Sequence, residues 1–496
     1  SVNSLLWGMY CLIPLLVGTG IYLTIKLRFI QIRRFGDAFR QVFGGFTLFG
    51  SHAGKNGMSS FQSLATAISA QVGTGNLAGV ATAIAMGGPG AVFWMWLAAF
   101  FGMATIFAEA VLSQLYRTRD AHGQIMGGPA FYISRGLKNK PLAAFFAFTI
   151  IIALGFIGNM VQANSIADSI YTAFDVPQWA TGIFVFMIAG FIFIGGVRRI
   201  ASFAEKMVPF MALIYAVGSL TIIFANWDMI LPAFKSIFVG AFDPSAATGG
   251  IIGASIKEAI RYGVARGLFS NEAGMGSTPH AHALANVEHP CQQGLVAYVG
   301  LFFDTFIVLN LTALVILVTG SVDGSTTGIA LTQKAFTSGL GAIGPGFVAL
   351  CLFFFAFTTI VGWYFFGEQN VKYLFGLRWV PSYRVLVLCF LMLGSFLHVG
   401  LVWELADFFN GIMVLPNVIA LLALSGLVAK ALKDYEGKFL TGDVPEFGAR
   451  SPSHGEPIDL EPEEPRRRRG FRLRRRNRKV NLEEMDQLKE EGLDRF

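Results

Sequence analysis

The stretch Ser69-Ala-Gln-Val-Gly-Thr-Gly-Asn76 interrupts a long apolar segment of this chain. The residues at 61–68 and 77–86 are mostly apolar or small, and the whole segment is long enough to cross a bilayer. Each glycine disfavours a helix by about 1 kcal/mol relative to alanine, so Gly73 and Gly75 predict a break at mid-membrane depth. Backbone groups freed there cannot face lipid, and the break must therefore line a cavity enclosed by protein.

The composition indicates a polytopic membrane protein. Of 496 residues, 54% are hydrophobic and 14% are charged, whereas an average soluble domain carries roughly 25% charged residues. The segment at 250–286 carries five charged residues, but the alternation of basic connections requires it to cross the membrane. We expect eleven transmembrane helices, at 5–27, 60–86, 89–117, 143–171, 179–197, 206–225, 250–286, 292–319, 345–372, 381–397 and 400–431.

The eleven segments divide into one N-terminal helix and two sets of five. Each set opens with an interrupted helix, broken at Gln71–Asn76 in the first set and at Arg266–Gly274 in the second. Because five is odd, the second set enters the membrane from the opposite side, as in an inverted repeat with its binding site between the broken helices. Such breaks are typical of secondary transporters, which present bare backbone groups to a substrate and an ion.

We therefore predict an all-α membrane protein with four regions. They are an N-terminal helix and connection at 1–59, a first five-helix repeat at 60–225, a second, inverted repeat at 250–431, and a polar, mostly disordered tail at 434–496. Basic residues cluster in alternate connections, which predicts a multi-pass protein of the plasma membrane with its N-terminus outside and its C-terminus cytoplasmic. The tail holds ten Arg and Lys between 466 and 479. It is either an anchor without a specific partner or a surface for anionic lipid, and no nucleic acid is expected.

Four stretches resemble the family of alanine or glycine:cation symporters. The longest is Gly87-Gly-Pro-Gly-Ala-Val-Phe-Trp-Met-Trp-Leu-Ala-Ala-Phe-Phe-Gly102, and the others are Val72–Ala81, Ala265–Gly274 and Phe357–Trp363. The resemblance covers about residues 5–432. It implies the inverted-repeat fold shared with the neurotransmitter:sodium symporters, and sodium-coupled uptake of a small neutral amino acid by alternating access.

Several functional alternatives stay open at this point. Glycine, alanine, D-alanine and serine are all compatible substrates, and a proton-coupled transporter or an amino-acid-binding channel or sensor is a rival function. No nucleophile with a partnering base, Walker loop or nucleotide fingerprint is found in the sequence, which argues against an enzyme and against an ATP-driven pump. Sodium, as the coupling ion, is the one ion expected, and no other cofactor is expected.

The resemblance also assigns the substrate contacts of the first break. It implies that Gln71, Thr74 and Gly75 contact the amino acid, whose carboxylate suits backbone N–H groups at a half-helix start. The alternative for Gly73 and Gly75 is close helix packing. In the second break, Ser270 and Asn271 are expected to accept from the ammonium group. Gln162 is a further candidate wall residue, with interhelical bonding as its alternative.

Sodium and gating residues complete the prediction. Thr358 and Thr359 are expected to bind sodium together with Ser69, Val72 and Asn76, because oxygen ligands suit hard cations; alternatively, the two hydroxyls bond back to their own helix. Trp363 lies one turn beyond Thr359 and is expected to limit substrate size, with a core aromatic as its alternative.

Glu272 is a carboxylate inside a predicted membrane span, where it is costly unless it is paired or solvated. We expect either an ion pair with Arg266, which acts as a structural lock, or a role as partner of a proton or of the ammonium group. Gly73, Arg266 and Glu272 are therefore treated as structural or gating residues.

Overall fold

The computed structural model describes residues 3, 6–7, 11–44, 57–120, 122–243, 255–397, 399–442 and 445–447. Most of the predicted tail, including the basic run at 466–479, lies outside these residues, and so does part of the first predicted span. The described chain is almost entirely helical. Its two short strands, β1 (Thr118–Arg119) and β2 (Ile125–Met126), pair antiparallel, with Thr118 opposite Met126.

The helices of the N-terminal half run from the first span to the end of the first predicted repeat. In chain order they are α1 Leu12–Lys26, α2 Ile30–Arg33, α3 Phe35–Phe43, α4 Ser60–Gln71, α5 Val80–Gly87, α6 Ala91–Leu115, α7 Pro129–Arg135, α8 Lys140–Ile150, α9 Asn159–Phe174, α10 Gln178–Ile194, α11 Gly196–Ala225 and α12 Ile230–Phe242. Segments of π-helix at Gly75–Gly79 and Ile151–Gly158 lead into α5 and α9.

The helices of the C-terminal half are given next, in chain order. They are α13 Ile256–Asn271, α14 Pro279–Ala283, α15 Pro290–Phe302, α16 Asn310–Val318, α17 Gly328–Leu340, α18 Gly344–Phe375, α19 Val380–Gly394 and α20 Val399–Asp434. Further π-helix at Phe303–Leu309 joins α15 to α16, and a π-turn at Tyr435–Phe439 ends α20. Short 3₁₀ turns lie at Trp227–Met229, Gly341–Ile343 and Leu377–Trp379.

The chain is a multi-pass membrane protein by the length and apolarity of its helices. Seven described helices are long and apolar enough to cross a bilayer, and three shorter apolar helices accompany them. The broken helix α13–α14 is not among the ten, since its charged residues lower its hydropathy. The total of eleven spans remains a prediction.

Both interrupted helices start with the same capping arrangement. Ser59 caps α4 and Gln62 bonds back to the Ser59 N–H, while Ser255 and Glu258 do the same for α13. Such a reciprocal box satisfies N–H groups that the first turn leaves unpaired. Both broken helices are thus stabilised at their first turn, and the irregular backbone lies in the middle of each segment.

The breaks lie at the centre of the helix bundle. Helix α4 packs against α11 and α18, whereas α13 packs against α5 and α6. Helix α18 also packs along α9, and α15 packs along α6. The polar residues of both breaks are therefore surrounded by protein, as irregular backbone at membrane depth requires.

Two predicted boundaries differ from the structure. Helix α11 begins at Gly196 rather than near residue 206, so the basic residues of that connection are helical. Helix α20 continues through Asp434, and Glu436 of the following turn contacts Arg33 and Arg34 at 2.9 and 3.1 Å. The predicted start of the tail at 434 therefore falls within ordered structure. The ion pairs of Glu436 join the turn after α20 to the connection that follows α1.

Candidate functional site

The first break follows α4 at the position that the glycines predict. Helix α4 ends at Gln71, Val72 adopts an extended conformation, and π-helical geometry resumes at Gly75. The side-chain oxygen of Asn76 accepts from the Gly73 N–H at 3.0 Å. The break is thus closed by its own residues, and the carbonyl groups of the preceding turn are left for other partners.

Those carbonyl groups meet Thr359 of α18. The Thr359 hydroxyl lies 3.0 Å from the Ser69 carbonyl oxygen, 3.2 Å from that of Val72 and 3.0 Å from that of Phe355. All of these groups are buried. Four oxygens from the first break and α18 converge here, and clustered oxygens of this kind are the ligands that hard cations take.

Thr358 and Asn76 are not brought to this cluster. The Thr358 hydroxyl donates to the Phe355 carbonyl at 2.9 Å and lies near the Met211 sulfur, so it bonds back to its own helix. The Asn76 amide uses its oxygen on Gly73 and donates to Asp304 at 2.7 Å. The expectation that both side chains share a sodium site with Thr359 therefore does not match their geometry.

Two polar atoms at the first break lack partners among the described residues. These are the hydroxyl oxygen of Thr74 and the side-chain oxygen of Gln71, both buried. The Gln71 amide nitrogen donates to the Asn271 carbonyl at 2.7 Å, which joins the two breaks. Gln162 accepts from the Thr74 N–H at 3.3 Å, so the predicted wall residue does reach the break. Unpartnered buried oxygens are rare in folded proteins and indicate a place for a polar ligand.

The second break begins one residue after Asn271, at the end of α13. Glu272 has a left-handed backbone with φ of 58°, and Gly274 and Gly276 follow with φ of 84° and 80°. The Glu109 carboxylate of α6 accepts from the Gly274 and Gly276 N–H groups at 3.3 and 3.0 Å. It also accepts from the Asn417 amide at 2.6 Å. A carboxylate from another helix thus holds the freed N–H groups of this break.

The predicted ion pair between Arg266 and Glu272 is wrong. Arg266 forms a bidentate pair with Asp407 of α20, with both N–O distances at 3.0 Å. Six helical positions turn a side chain through about 240°, so Arg266 points away from Glu272. Glu272 instead accepts from the Trp363 indole N–H at 2.6 Å and from the Ser277 hydroxyl.

Trp363 lies between the second break and α9. A Cβ at Gly158 would lie 2.7 Å from the indole ring, so the ring is packed directly on the backbone of the π-helical segment that leads into α9. Phe269 meets the same indole edge-on, with ring centroids 6.3 Å apart. The large ring is therefore fixed on three sides.

Asp304 is a polar residue at the breaks to which neither the interrupted segments nor the family resemblance pointed. This residue lies in the π-helical segment between α15 and α16, and its carboxylate accepts from Asn76 at 2.7 Å and from the Ser270 hydroxyl at 3.1 Å. Asn271 donates to the neighbouring Thr305 hydroxyl at 3.4 Å. Ser270 and Asn271 therefore contact Asp304 and Thr305. A charged residue at membrane depth indicates a functional site, and this signal was present in the sequence for both Asp304 and Glu109. Neither residue lies in a predicted break, so neither was assigned to the site.

The comparisons with known proteins agree on a class of membrane transporter. The model of the sodium:alanine symporter family matches residues 1–449, so the chain belongs to this family. Its fold is that of MhsT, solved in complex with L-phenylalanine, with a TM-score of 0.55, 15% identity, and coverage of 77% of this chain and 93% of that one. This likeness confirms the inverted-repeat transporter fold that the sequence resemblance implies.

Curated relatives extend over nearly the same length. The sodium/alanine symporter AgcS of Methanococcus maripaludis is 43% identical over 88% of this chain and 96% of that protein. The probable sodium/glutamine symporter GlnT of Bacillus subtilis is 39% identical over 90% of this chain and 91% of that protein. The chain also matches the putative sodium/proton-dependent alanine carrier YrbD of Bacillus subtilis at 43% identity over 91% of this chain and 94% of that protein.

Proposed function

We propose that this protein is a secondary active symporter that couples sodium entry to the uptake of alanine or another small neutral amino acid. The observation that carries the proposal is the cluster around Thr359, where one hydroxyl and three carbonyl oxygens join the first break to α18. A cation bound here holds the broken helix against α18. The same helix carries Trp363, so ion binding and the shape of the amino-acid site are connected through one rigid element.

The amino acid binds beside this cluster, between the two breaks. Thr74 and Gln71 supply the unpartnered oxygens, Gln162 orients the backbone of the break, and Gly75 keeps the backbone accessible. Ser270 and Asn271 border the site from the second break. Trp363 closes the side-chain end and favours small substrates such as alanine, glycine, D-alanine and serine.

The names of the relatives favour sodium and alanine as the transported pair. AgcS is named as a sodium/alanine symporter, and YrbD as a sodium/proton-dependent alanine carrier. GlnT, a probable sodium/glutamine symporter, indicates that the substrate varies within the family while sodium stays. We place the N-terminus outside and the C-terminus in the cytoplasm, because the basic connections alternate in that sense.

Uptake into proteoliposomes tests the function directly. Purified full-chain protein is expected to accumulate labelled alanine when an inward sodium gradient is imposed, and not when choline replaces sodium or when only a proton gradient is present. Empty liposomes are the control. Accumulation driven by protons without sodium would identify a proton-coupled transporter, and alanine binding without accumulation would identify a channel or sensor.

Selectivity is measured in the same vesicles. Unlabelled glycine, D-alanine, serine, leucine and glutamine compete with labelled alanine at equal concentrations. We expect glycine, D-alanine and serine to compete and leucine not to compete. Efficient competition by leucine would reject Trp363 as the limit on side-chain size.

A further inference from the structure

The first turn of α15 is capped by a histidine side chain. His289 has no exposed surface, and its Nδ1 accepts from the Cys291 N–H at 3.1 Å. Its Nε2 lies 3.4 Å from a carboxylate oxygen of Asp434, at the end of α20. A ring nitrogen that accepts a hydrogen bond carries no hydrogen, so this cap uses the neutral imidazole, with its hydrogen on Nε2 facing the carboxylate.

The turn after α20 closes over the same ring. The rings of Tyr435 and Phe439 lie 5.1 and 5.4 Å from the imidazole, centroid to centroid. Asp434 also accepts from the Glu446 and Phe447 N–H groups at 3.1 and 3.0 Å, so donors other than the imidazole stabilise its charge. We call the contacts of Asp434, Tyr435 and Phe439 with the imidazole the C-terminal clasp.

Charged and titratable groups lie near the ring on the end of α20, on the connection after α1 and around the start of α15. They are Asp434, Tyr435, Glu436 and Lys438, then Arg33, Arg34 and Asp37, then Glu288 and Cys291. Glu436 pairs with Arg33 and Arg34, whereas Asp434 is bonded to the ring. Burial lowers the pKa of His289 below its ordinary value, against the opposing effect of Asp434.

The turn that His289 caps holds both broken helices, on the side that we place in the cytoplasm. Gln293 of this turn is fully buried, and its side-chain oxygen accepts from the Ser60 hydroxyl of α4 at 2.8 Å. Its amide nitrogen donates to the Ser63 hydroxyl of α4 at 3.1 Å and lies 2.8 Å from Nδ1 of His282 in α14. One side chain of α15 therefore joins α4 to α14.

The cytoplasmic ends of the broken helices are also paired through their backbones. The Met58 N–H donates to the Leu284 carbonyl at 2.9 Å, and the Asn286 N–H donates to the Met58 carbonyl at 3.0 Å. An amino acid bound between the two breaks reaches the cytoplasm only when α4 and α14 separate on this side. The structure therefore has this side closed, and the first turn of α15 is part of the closure.

We propose that His289 is a proton-sensitive cap through which cytoplasmic acid loosens the closure between α4 and α14. The proposal rests on the proposed function, because it regulates the path by which the transported amino acid leaves. A proton taken up from the cytoplasm binds Nδ1 and gives this nitrogen a hydrogen that points at the Cys291 N–H. Two donors then face each other, so the cap is lost and the turn that carries Gln293 loosens.

The direction of the pH effect follows from the pKa of His289 in the two forms. In the closed clasp the imidazole is held neutral, and its pKa lies below the ordinary value of about 6.5. In the open clasp the imidazole is exposed to water and titrates near that value. The open form binds the proton more tightly, so the clasp keeps its full strength above about pH 6.5 and weakens as the pH falls below it.

Hydrogen exchange of the purified full-chain protein in detergent tests the clasp. Peptides that contain Cys291 or Phe447 are compared at about pH 7.5 and about pH 5.5, with rates corrected for intrinsic exchange. We expect wild-type protection to fall about five- to tenfold at the lower pH, since the open form gains at most about tenfold there. His289→Asn keeps a capping oxygen but does not titrate, so its protection should not fall.

The matched control for hydrogen exchange is His122→Asn, because His122 is exposed between β1 and β2 and should leave the wild-type pH response unchanged. If His289→Asn does not fold, His289→Ser gives the same test, since serine also caps helices. Wild-type protection that is the same at both pH values, or that falls equally in the capping variant, would overturn the proposal.

Alanine uptake shows whether the clasp regulates transport. The initial rate in proteoliposomes is measured at about pH 7.5 and about pH 5.5, with equal pH on both faces and the same sodium gradient. We expect the ratio of the rate at the lower pH to that at the higher pH to be at least about twofold greater in wild type than in His289→Asn. An equal or smaller wild-type ratio would overturn the regulation. Absence of sodium-dependent uptake at both pH values would instead contradict the symporter itself.

Discussion

The two broken helices hold their freed N–H groups with different kinds of acceptor. In the first break the acceptors are neutral amides: Asn76 of the break itself accepts from the Gly73 N–H at 3.0 Å, and Gln162 of α9 accepts from the Thr74 N–H at 3.3 Å. The second break is held from outside, since Glu109 binds the N–H groups of Gly274 and Gly276. The first break therefore keeps its carbonyl groups free for an ion, whereas the second has its backbone N–H groups occupied and presents side chains instead.

The glycines of the two breaks have correspondingly different roles. Gly274 and Gly276 adopt left-handed backbone angles that other residues rarely adopt, so conformation requires them. Gly73 and Gly75 do not have positive φ values. A Cβ at Gly73 would lie 2.5 Å from the Thr359 hydroxyl, and one at Gly75 would lie 3.1 Å from the Ser270 Cα. Close approach, rather than backbone angle, requires glycine in the first break.

Thr359→Ala is expected to have the largest effect on ion binding, because it removes the hydroxyl that meets the Ser69 and Val72 carbonyl groups of the first break. We predict that the sodium concentration for half-maximal alanine uptake rises about tenfold or more, equivalent to about 1.4 kcal/mol. Thr358→Ala should raise it less, since that hydroxyl bonds back to Phe355. An equal or larger effect in Thr358→Ala would contradict the assignment of the ion to Thr359.

Alanine substitutions of Gly73 and Gly75 distinguish an effect on ion binding from an effect on the packing of the two breaks. Gly73→Ala places its Cβ against the Thr359 hydroxyl. We therefore predict that the sodium concentration for half-maximal uptake rises several-fold while the protein still folds. Gly75→Ala places its Cβ against the backbone of Ser270, so we predict a lower melting temperature in detergent and weaker alanine binding. Melting temperature, sodium titration and alanine binding are measured on the same samples. Identical profiles for the two variants would contradict the different roles given to these glycines.

The sequence predicted the positions of both breaks because glycine and charge stand out in apolar segments. It also predicted that Thr359 meets the carbonyl groups near Ser69 and Val72, as the structure places it. The fold followed from the resemblance and from the topology of the segments, and the likeness to MhsT confirms it. The breaks and the fold were predictable because they follow from glycine and charge inside apolar segments and from the order of those segments along the chain.

The partners of the second break could not be predicted from local pattern. Glu109 and Asn417 lie more than 140 positions from Gly274 along the chain, and only the packing of α6, α13 and α20 brings them together. The ion pair of Arg266 was assigned to the nearest carboxylate in sequence, but the helix turns that side chain toward Asp407. Tertiary contacts of this kind carry no local sequence signal.

Glu109→Gln tests whether the second break is held from outside. The amide oxygen accepts fewer and weaker hydrogen bonds than a carboxylate, so one buried N–H group loses its partner. We predict a loss of about 1–3 kcal/mol in stability, which lowers the melting temperature in detergent. Glu109→Ala should lower it further. A melting temperature equal to that of wild type in both variants would show that the second break holds itself.

Trp363→Phe tests the substrate side of the second break. The smaller ring loses the hydrogen bond to Glu272 and leaves space beside Gly158, so the site should accept one or two more carbon atoms. An added methylene group changes discrimination by about 1–3 kcal/mol, and we predict at least a several-fold shift in the ratio of threonine to alanine uptake. Competition uptake in proteoliposomes measures this ratio. Trp94→Phe is the matched control, because the Trp94 indole donates to the Ala241 carbonyl of α12 instead of to a residue of either break. A ratio that shifts equally in both variants would show that Trp363 acts on packing in general, whereas a shift confined to Trp363→Phe places the limit on side-chain size at the second break.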